Sequence, residues 1–157
     1  MRRTIVLTML AALVGAGLTA ASGAFGSGSS RLTQAVQIHV VERAVTDQVI
    51  DVGAPGDSPG DLLPFANPVF DATNTTRVGR DQGSCIRASS SPGRWECMYT
   101  TFLPDGQVTV EGPFLDAQTT TRLAVTGGTG LYKNARGVLV LHLRTDGNFD
   151  FYFRLIP

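Results

Sequence analysis

From Ala35 to Ile156 turn residues interrupt the chain about every ten to fourteen positions, a spacing that suits short strands and defeats helices. The runs between them are rich in β-branched and aromatic residues and carry no helical periodicity of useful length. This pattern predicts eight strands, at Ala35 to Asp51, Leu62 to Asp71, Thr76 to Ala88, Arg94 to Leu103, Gln107 to Leu115, Thr120 to Thr126, Ala135 to Arg144 and Asn148 to Ile156. Two Asp-Gly pairs, Asp105-Gly106 and Asp146-Gly147, tolerate positive φ and predict two-residue hairpins at two of the corners.

The first thirty residues read differently. Arg2 and Arg3 precede an apolar run from Ile5 to Leu18, and small residues follow from Thr19 to Ala24. That is the order of a cleavable secretion signal, and the run is shorter than the roughly 20 residues a spanning helix needs, so no permanent membrane anchor is expected. A Gly/Ser-rich leader, Gly23 to Ser30, separates it from one domain covering residues 31–157. Without Arg2 and Arg3 the exported chain keeps 11 of its 13 basic residues against 13 acidic ones, a formal net charge of −2. Such a balance offers nothing to a phosphate backbone, and nucleic acid is not an expected partner.

A hairpin centred on Ser90 to Gly93 sets Cys85 opposite Cys97 with both side chains on one face. Export favours a disulfide between them, the alternative being two buried free thiols. The same register puts Asp81, Gly83, Cys85, Trp95, Tyr99 and Thr101 on one face and Arg80, Gln82, Ser84, Met98, Thr100 and Phe102 on the other. Both faces are partly apolar, as are the strands bearing Leu139, Leu141 and Leu143 and Phe149, Phe151 and Phe153. An open sheet with one wet side would alternate cleanly; an eight-stranded antiparallel closed barrel fits better, and is just wide enough to hold side chains plus one small ligand. Apolar strips on its outside would suit a homo-oligomer, and the ligand would be an apolar small molecule.

Several side chains carry two readings. Glu42, if it faces an apolar interior, has its charged form disfavoured and suits a general acid or base; otherwise it is an exposed glutamate on a long edge strand. Asn67 offers an amide that can hold water or polarise a substrate oxygen, or it is a turn residue before Pro68. Trp95 and Tyr99 present rigid apolar area with one polar handle each, for a pocket or for simple core packing. His39 and His142 are the only histidines and stand at no metal-ligand spacing, so no metal site is expected. A Gly-X-Ser-X-Gly elbow is missing, and the glycines from Gly127 to Gly130 precede a strand-like segment, which fits a tight barrel corner rather than a phosphate loop.

The segments GDLLPFAN (Gly60 to Asn67), VEGPFL (Val110 to Leu115) and LAVTGGTG (Leu123 to Gly130) resemble plant allene oxide cyclases in order and spacing, as do RDQGSCIRA and RWECMYTTF around the cysteine hairpin. The likeness runs from Val36 to Phe153. VTGGTGLYKNARG is equally similar to dirigent proteins, which share the barrel, and bacterial spirotetronate-type cyclases belong to the same broad group. The resemblance implies an eight-stranded barrel, usually a homotrimer or homodimer, whose apolar cavity shapes a reactive unsaturated molecule before it closes a ring, without metal or organic cofactor. It matches Glu42 to a catalytic Glu, Asn67 to a water-holding Asn, Phe65 to a pocket aromatic and Cys85 to a pocket Cys. Ala44 stands where the family has a second Asn, a Ser-Pro pair is missing near Ile50 and Asp51, and Cys97 replaces a small residue. Two functions follow as expectations: a cyclase or isomerase acting by confinement, with Glu42 and Asn67 catalytic and Phe65, Cys85, Trp95 and Tyr99 holding substrate; or a non-catalytic lipid- or metabolite-binding barrel, dirigent-like, that guides coupling of radicals made elsewhere.

Overall fold

Alternation of inward and outward side chains organises the structure, a computed structural model that describes residues 34–156. The strands are β1 (Val36–Glu42), β2 (Leu62–Asp71), β3 (Arg77–Ser90), β4 (Gly93–Leu103), β5 (Gly106–Leu115), β6 (Thr120–Gly128), β7 (Arg136–Leu143) and β8 (Phe149–Ile156). Each pairs antiparallel with its neighbour in sequence, and β8 returns to β1 through a ladder from Val36 opposite Leu155 to Glu42 opposite Phe149. Closure leaves the sheet without an edge. The all-β, eight-stranded antiparallel closed barrel is the architecture that the turn spacing, the partly apolar faces of the strands and the family resemblance predict. The expected secretion signal lies outside the described residues.

The register across β3 and β4 sets Asp81 opposite Thr101, Gly83 opposite Tyr99 and Cys85 opposite Cys97. All of these face inward except where glycine has no side chain, while Arg80, Gln82, Ser84 and Met98 are exposed on the outside. Phe151, Phe153 and Leu155 on β8 and Leu139 and Leu141 on β7 complete the interior. The barrel's outer surface keeps apolar residues in water, among them Ile86 and Met98 at 52% and 59% exposure. Cys85 and Cys97 form a disulfide with an S–S distance of 2.00 Å, which suits an extracytoplasmic, oxidising compartment. Closing so short a loop restricts the unfolded chain by about 3 kcal/mol in the chain-entropy account.

Three local expectations change. The first strand ends at Glu42 and does not run to Asp51. Beyond Arg43, whose N–H still bonds Pro68 O at 3.1 Å, the backbone of Val45 and Thr46 turns to the Asn67 side chain instead of continuing the ladder. Residues 43–61 then form a loop with positive φ at Gly53, Gly56 and Gly60, returning through one bridge between Ile50 and Leu62. The Asp-Gly pairs also sit differently. Leu103 pairs with Gly106, so the first loop is Pro104-Asp105 and Gly106 opens β5; the second is Thr145-Asp146-Gly147, closed by Arg144 N–H to Asn148 O at 2.9 Å, with Gly147 at φ 82°. In both, the glycine supplies its unusual φ beside or after the tight residues rather than as half of a two-residue turn. The glycine run from Gly127 to Gly130 closes β6 and leads into a single 3₁₀ turn, Gly130–Tyr132, before β7.

Candidate active site

Three inward rows cross β2, β3 and β4 and build one wall of the interior. Leu63, Cys85 and Cys97 form the first row, Phe65, Gly83 and Tyr99 the second, and Asn67, Asp81 and Thr101 the third. Gly83 is required here: a Cβ on it would stand 2.3 Å from that of Tyr99. Its absence lets the Tyr99 ring lie across the barrel, edge-on to Phe65 at 5.4 Å and tilted against Phe151 at 5.8 Å.

Between this wall and Phe114, Leu123, Leu141, Phe149 and Phe151 on the far strands is a cavity of about 80 Å³. That is room for more than a few waters, in a site whose walls are mostly apolar. Its polar contributors are Glu42 at the end of β1, Asp47 on the following loop, Asp81 and Tyr99. The strand alternation brings Glu42 inside, since it pairs with Phe149 of the inward-facing β8 series.

Asn67 holds the acidic end together. Its amide nitrogen donates to Glu42 Oε1 and to Asp47 Oδ1, both at 2.5 Å. Its carbonyl oxygen accepts from Val45 N–H at 3.0 Å, Thr46 N–H at 2.9 Å and the Thr46 hydroxyl at 2.9 Å. Both donors and the acceptor of the amide are thus used within the protein.

Burial dominates the electrostatics. Loss of water pushes the Glu42 carboxyl up to about 7; the Asn67 hydrogen bond pulls it down and the charge of Asp47 pushes it further up. Asp81, with no exposed surface, is pushed up to about 9 by burial first and then by the charges of Glu42 and Asp47, while the backbone N–H groups of Asp81 and Asn67 pull it down. The Tyr99 phenol is raised by burial and by Glu42 and Asp81. Neither the Tyr99 hydroxyl nor Thr101 Oγ1 has a hydrogen-bond partner, and no side chain bonds the Asp81 carboxyl. The site therefore combines the Asp81 carboxyl, held protonated near neutrality, and the Glu42 carboxyl, which changes charge there, with a rigid aromatic wall.

Of the residues singled out from the sequence, Glu42, Phe65, Cys85 and Tyr99 line the cavity, Cys85 as half of the disulfide with Cys97. Asn67 stands behind Glu42 as its clamp. Trp95 is buried elsewhere: its indole N–H donates to Asp116 at 3.0 Å, and the Arg87 guanidinium lies over its ring at 4.2 Å. Arg87 also bonds Asp57 at 2.6 Å and Asp116, tying the β1–β2 loop to the β5–β6 turn. Asp47 and Asp81 join the site without having been given a role in it from sequence. For Asp81 a signal existed, an ionisable residue on the inward face of a strand whose register was readable.

The family model for allene oxide cyclase matches residues 32–154. Among solved structures, a pyocyanin demethylase superposes with a TM-score of 0.69 at 23% identity, over 77% of this chain and 100% of its own. A pterocarpan synthase dirigent protein gives 0.63 at 16% identity, over 78% and 94%. AbnU, an exo-specific intermolecular Diels-Alderase, gives 0.60 at 14% identity, over 77% and 97%. At these identities the three share the barrel fold with this chain.

Proposed function

The chain belongs to the allene oxide cyclase family, and from that premise we propose that it is a cyclase or isomerase that holds one largely apolar, unsaturated small molecule in the barrel and directs its ring closure. The observation that carries this reading is the aromatic-walled cavity with the Glu42 carboxyl buried at its edge. Confinement in one conformer removes much of the entropic barrier to closing a ring. Glu42, protonated or not near pH 7, is placed to give or take one proton at the reacting atom, and charge that develops there is stabilised in a site with little water. Asn67 is a positioning residue in this scheme: it orients Glu42 while its other bonds pin the loop that carries Asp47. Phe65 and Tyr99 fix the ligand's plane.

The full commitment of the Asn67 amide within the protein supports a second reading, a dirigent-like barrel that binds and steers molecules activated elsewhere. One experiment separates the two. Purified protein is incubated with an apolar extract of the cells that make it, and bound and released molecules are compared by mass spectrometry and chromatography for the native chain and for Glu42→Gln. A product of unchanged mass and altered retention, formed at least ~100-fold more slowly by Glu42→Gln, supports the cyclase. A ligand recovered unaltered from both proteins supports binding alone.

A further inference from the structure

Acceptors and donors around the cavity are unequally answered. On the acceptor side, Glu42 and Asp47 each take a hydrogen bond from the Asn67 amide. On the donor side, the Tyr99 hydroxyl is buried on the cavity wall without a partner, and the buried Thr101 hydroxyl has none either. Asp81 stands opposite Thr101, one inward row from Tyr99. Burial keeps its carboxyl protonated near neutrality, and the backbone N–H groups of Asp81 and Asn67 draw on its acceptor side, so what it has left to present is an O–H. A carboxylic acid kept neutral by its site is a hydrogen-bond donor. Buried polar groups in folded proteins are almost always partnered, so donors left open beside a cavity are open toward what enters it.

This imbalance selects among ligands. A pure hydrocarbon leaves both O–H groups unanswered. An ammonium brings only donors to a surface whose open groups are donors. A carboxylate sets another negative charge beside Glu42 and Asp47, and among the described residues no lysine, arginine or histidine lines the cavity to balance it. A neutral carbonyl oxygen, with two lone pairs in one plane, takes both O–H groups and brings no charge.

We infer that the ligand of this cavity carries a conjugated ketone, its oxygen received by the Tyr99 hydroxyl and the Asp81 carboxyl and its hydrocarbon body set against Leu123, Leu141, Phe149 and Phe151 on the facing strands. This names the substrate class of the proposed site and rests on that reading. Tyr99 is then a residue that determines specificity as well as a piece of wall. Charge that builds on the ketone oxygen during reaction meets donors already in place.

The test uses three molecules of one shape, 1-indanone, indane and 1-aminoindane, titrated into the whole protein at neutral pH, where the amine is an ammonium. 1-Indanone is expected to bind at least tenfold more tightly than indane, and 1-aminoindane more weakly than either, because a site built to hydrogen-bond one group rejects analogues that leave it unpaired. The infrared carbonyl stretch of bound 1-indanone should lie at lower wavenumber than in dry cyclohexane, the signature of hydrogen bonds donated to it. Tyr99→Phe keeps the ring and removes the donor. It should weaken 1-indanone at least fivefold, return part of the carbonyl shift and leave indane unchanged, whereas Glu96→Gln, on the exposed face of β4, should change none of these. The spectrum of the native chain needs no variant, so the inference is tested even where a substitution fails to fold. Equal affinity for 1-indanone and indane, an unshifted carbonyl, tighter binding of the amine, or native affinity for 1-indanone in Tyr99→Phe overturns the ketone inference and leaves confinement standing. Preference for 1-indanone together with unchanged conversion by Glu42→Gln supports the ketone site and overturns the cyclase. Failure of all three molecules to bind overturns both.

Discussion

At Asp81 burial and neighbouring charge act in the same direction, and the consequence for stability has a definite sign. Its folded value of about 9 lies above that of an exposed aspartate, so between the two the folded state binds a proton that the unfolded state has released. Stability from this group is therefore complete below the unfolded value, near pH 4, and is lost as pH rises toward 9. Asp81→Asn keeps the shape and removes the titration. The variant should melt with the native chain at pH 4 and at least ~4 °C above it at pH 9. A thermal melt series across pH checks this, and a constant difference would show that ionisation is not the cause. Glu42 obeys the same sign over a narrower window, since its folded value is about 7.

Among the elements, the loop of residues 43–61 depends most on side chains far from it in sequence. Asn67 on β2 holds its first part, Asp61 holds Val52 and Ser58 N–H at 2.8 and 2.9 Å, and Arg87 on β3 holds Asp57. Asn67→Ala removes five of these bonds and leaves Glu42 buried without its donor, a loss of about 2–4 kcal/mol. Hydrogen exchange at Val45 and Thr46 should accelerate while the β3–β4 amides stay protected. Asn67→Asp should destabilise further above pH 5, because it sets a third carboxylate against Glu42 and Asp47. Unchanged exchange at Val45 in either variant would remove Asn67 from the role of clamp. The sequence called for a strand over this loop because Val45, Val49 and Ile50 are β-prone, and Val45 and Ile50 are instead exposed at 66% and 49%. Propensity was overridden by a buried amide that offered the backbone a different partner.

Across the molecule the interior divides into a hollow end and a filled end. Phe65, Phe114 and Phe149 wall the cavity, whereas Val108, Tyr132, Phe153 and Leu155 are buried without lining it. Phe153→Ala should therefore cost about 3–5 kcal/mol with little effect on binding of an aromatic probe. Phe65→Ala, half-exposed at the open end, should cost less stability and weaken that binding. Denaturant melts and probe titration on the same two variants check the division; equal stability losses, or binding lost in Phe153→Ala, would contradict it.

The sequence by itself determined the strand count, which residues of β3 and β4 share a face, and that Cys85 stands opposite Cys97. These rest on a side-chain period of two and on local turns, which short stretches of chain fully specify. Glu42 and Phe65 were legible only through the family resemblance, and Trp95 was placed with them because an aromatic on an inward face reads the same whether it lines a hollow or fills it. Only the tertiary structure decided that Asp47 joins Glu42 and Asp81, that Asn67 spends its whole amide on holding them, and that the hollow is at one end. Those facts depend on β8 closing onto β1 and on a loop crossing back to β2, distances of tens of residues along the chain over which no local pattern carries information.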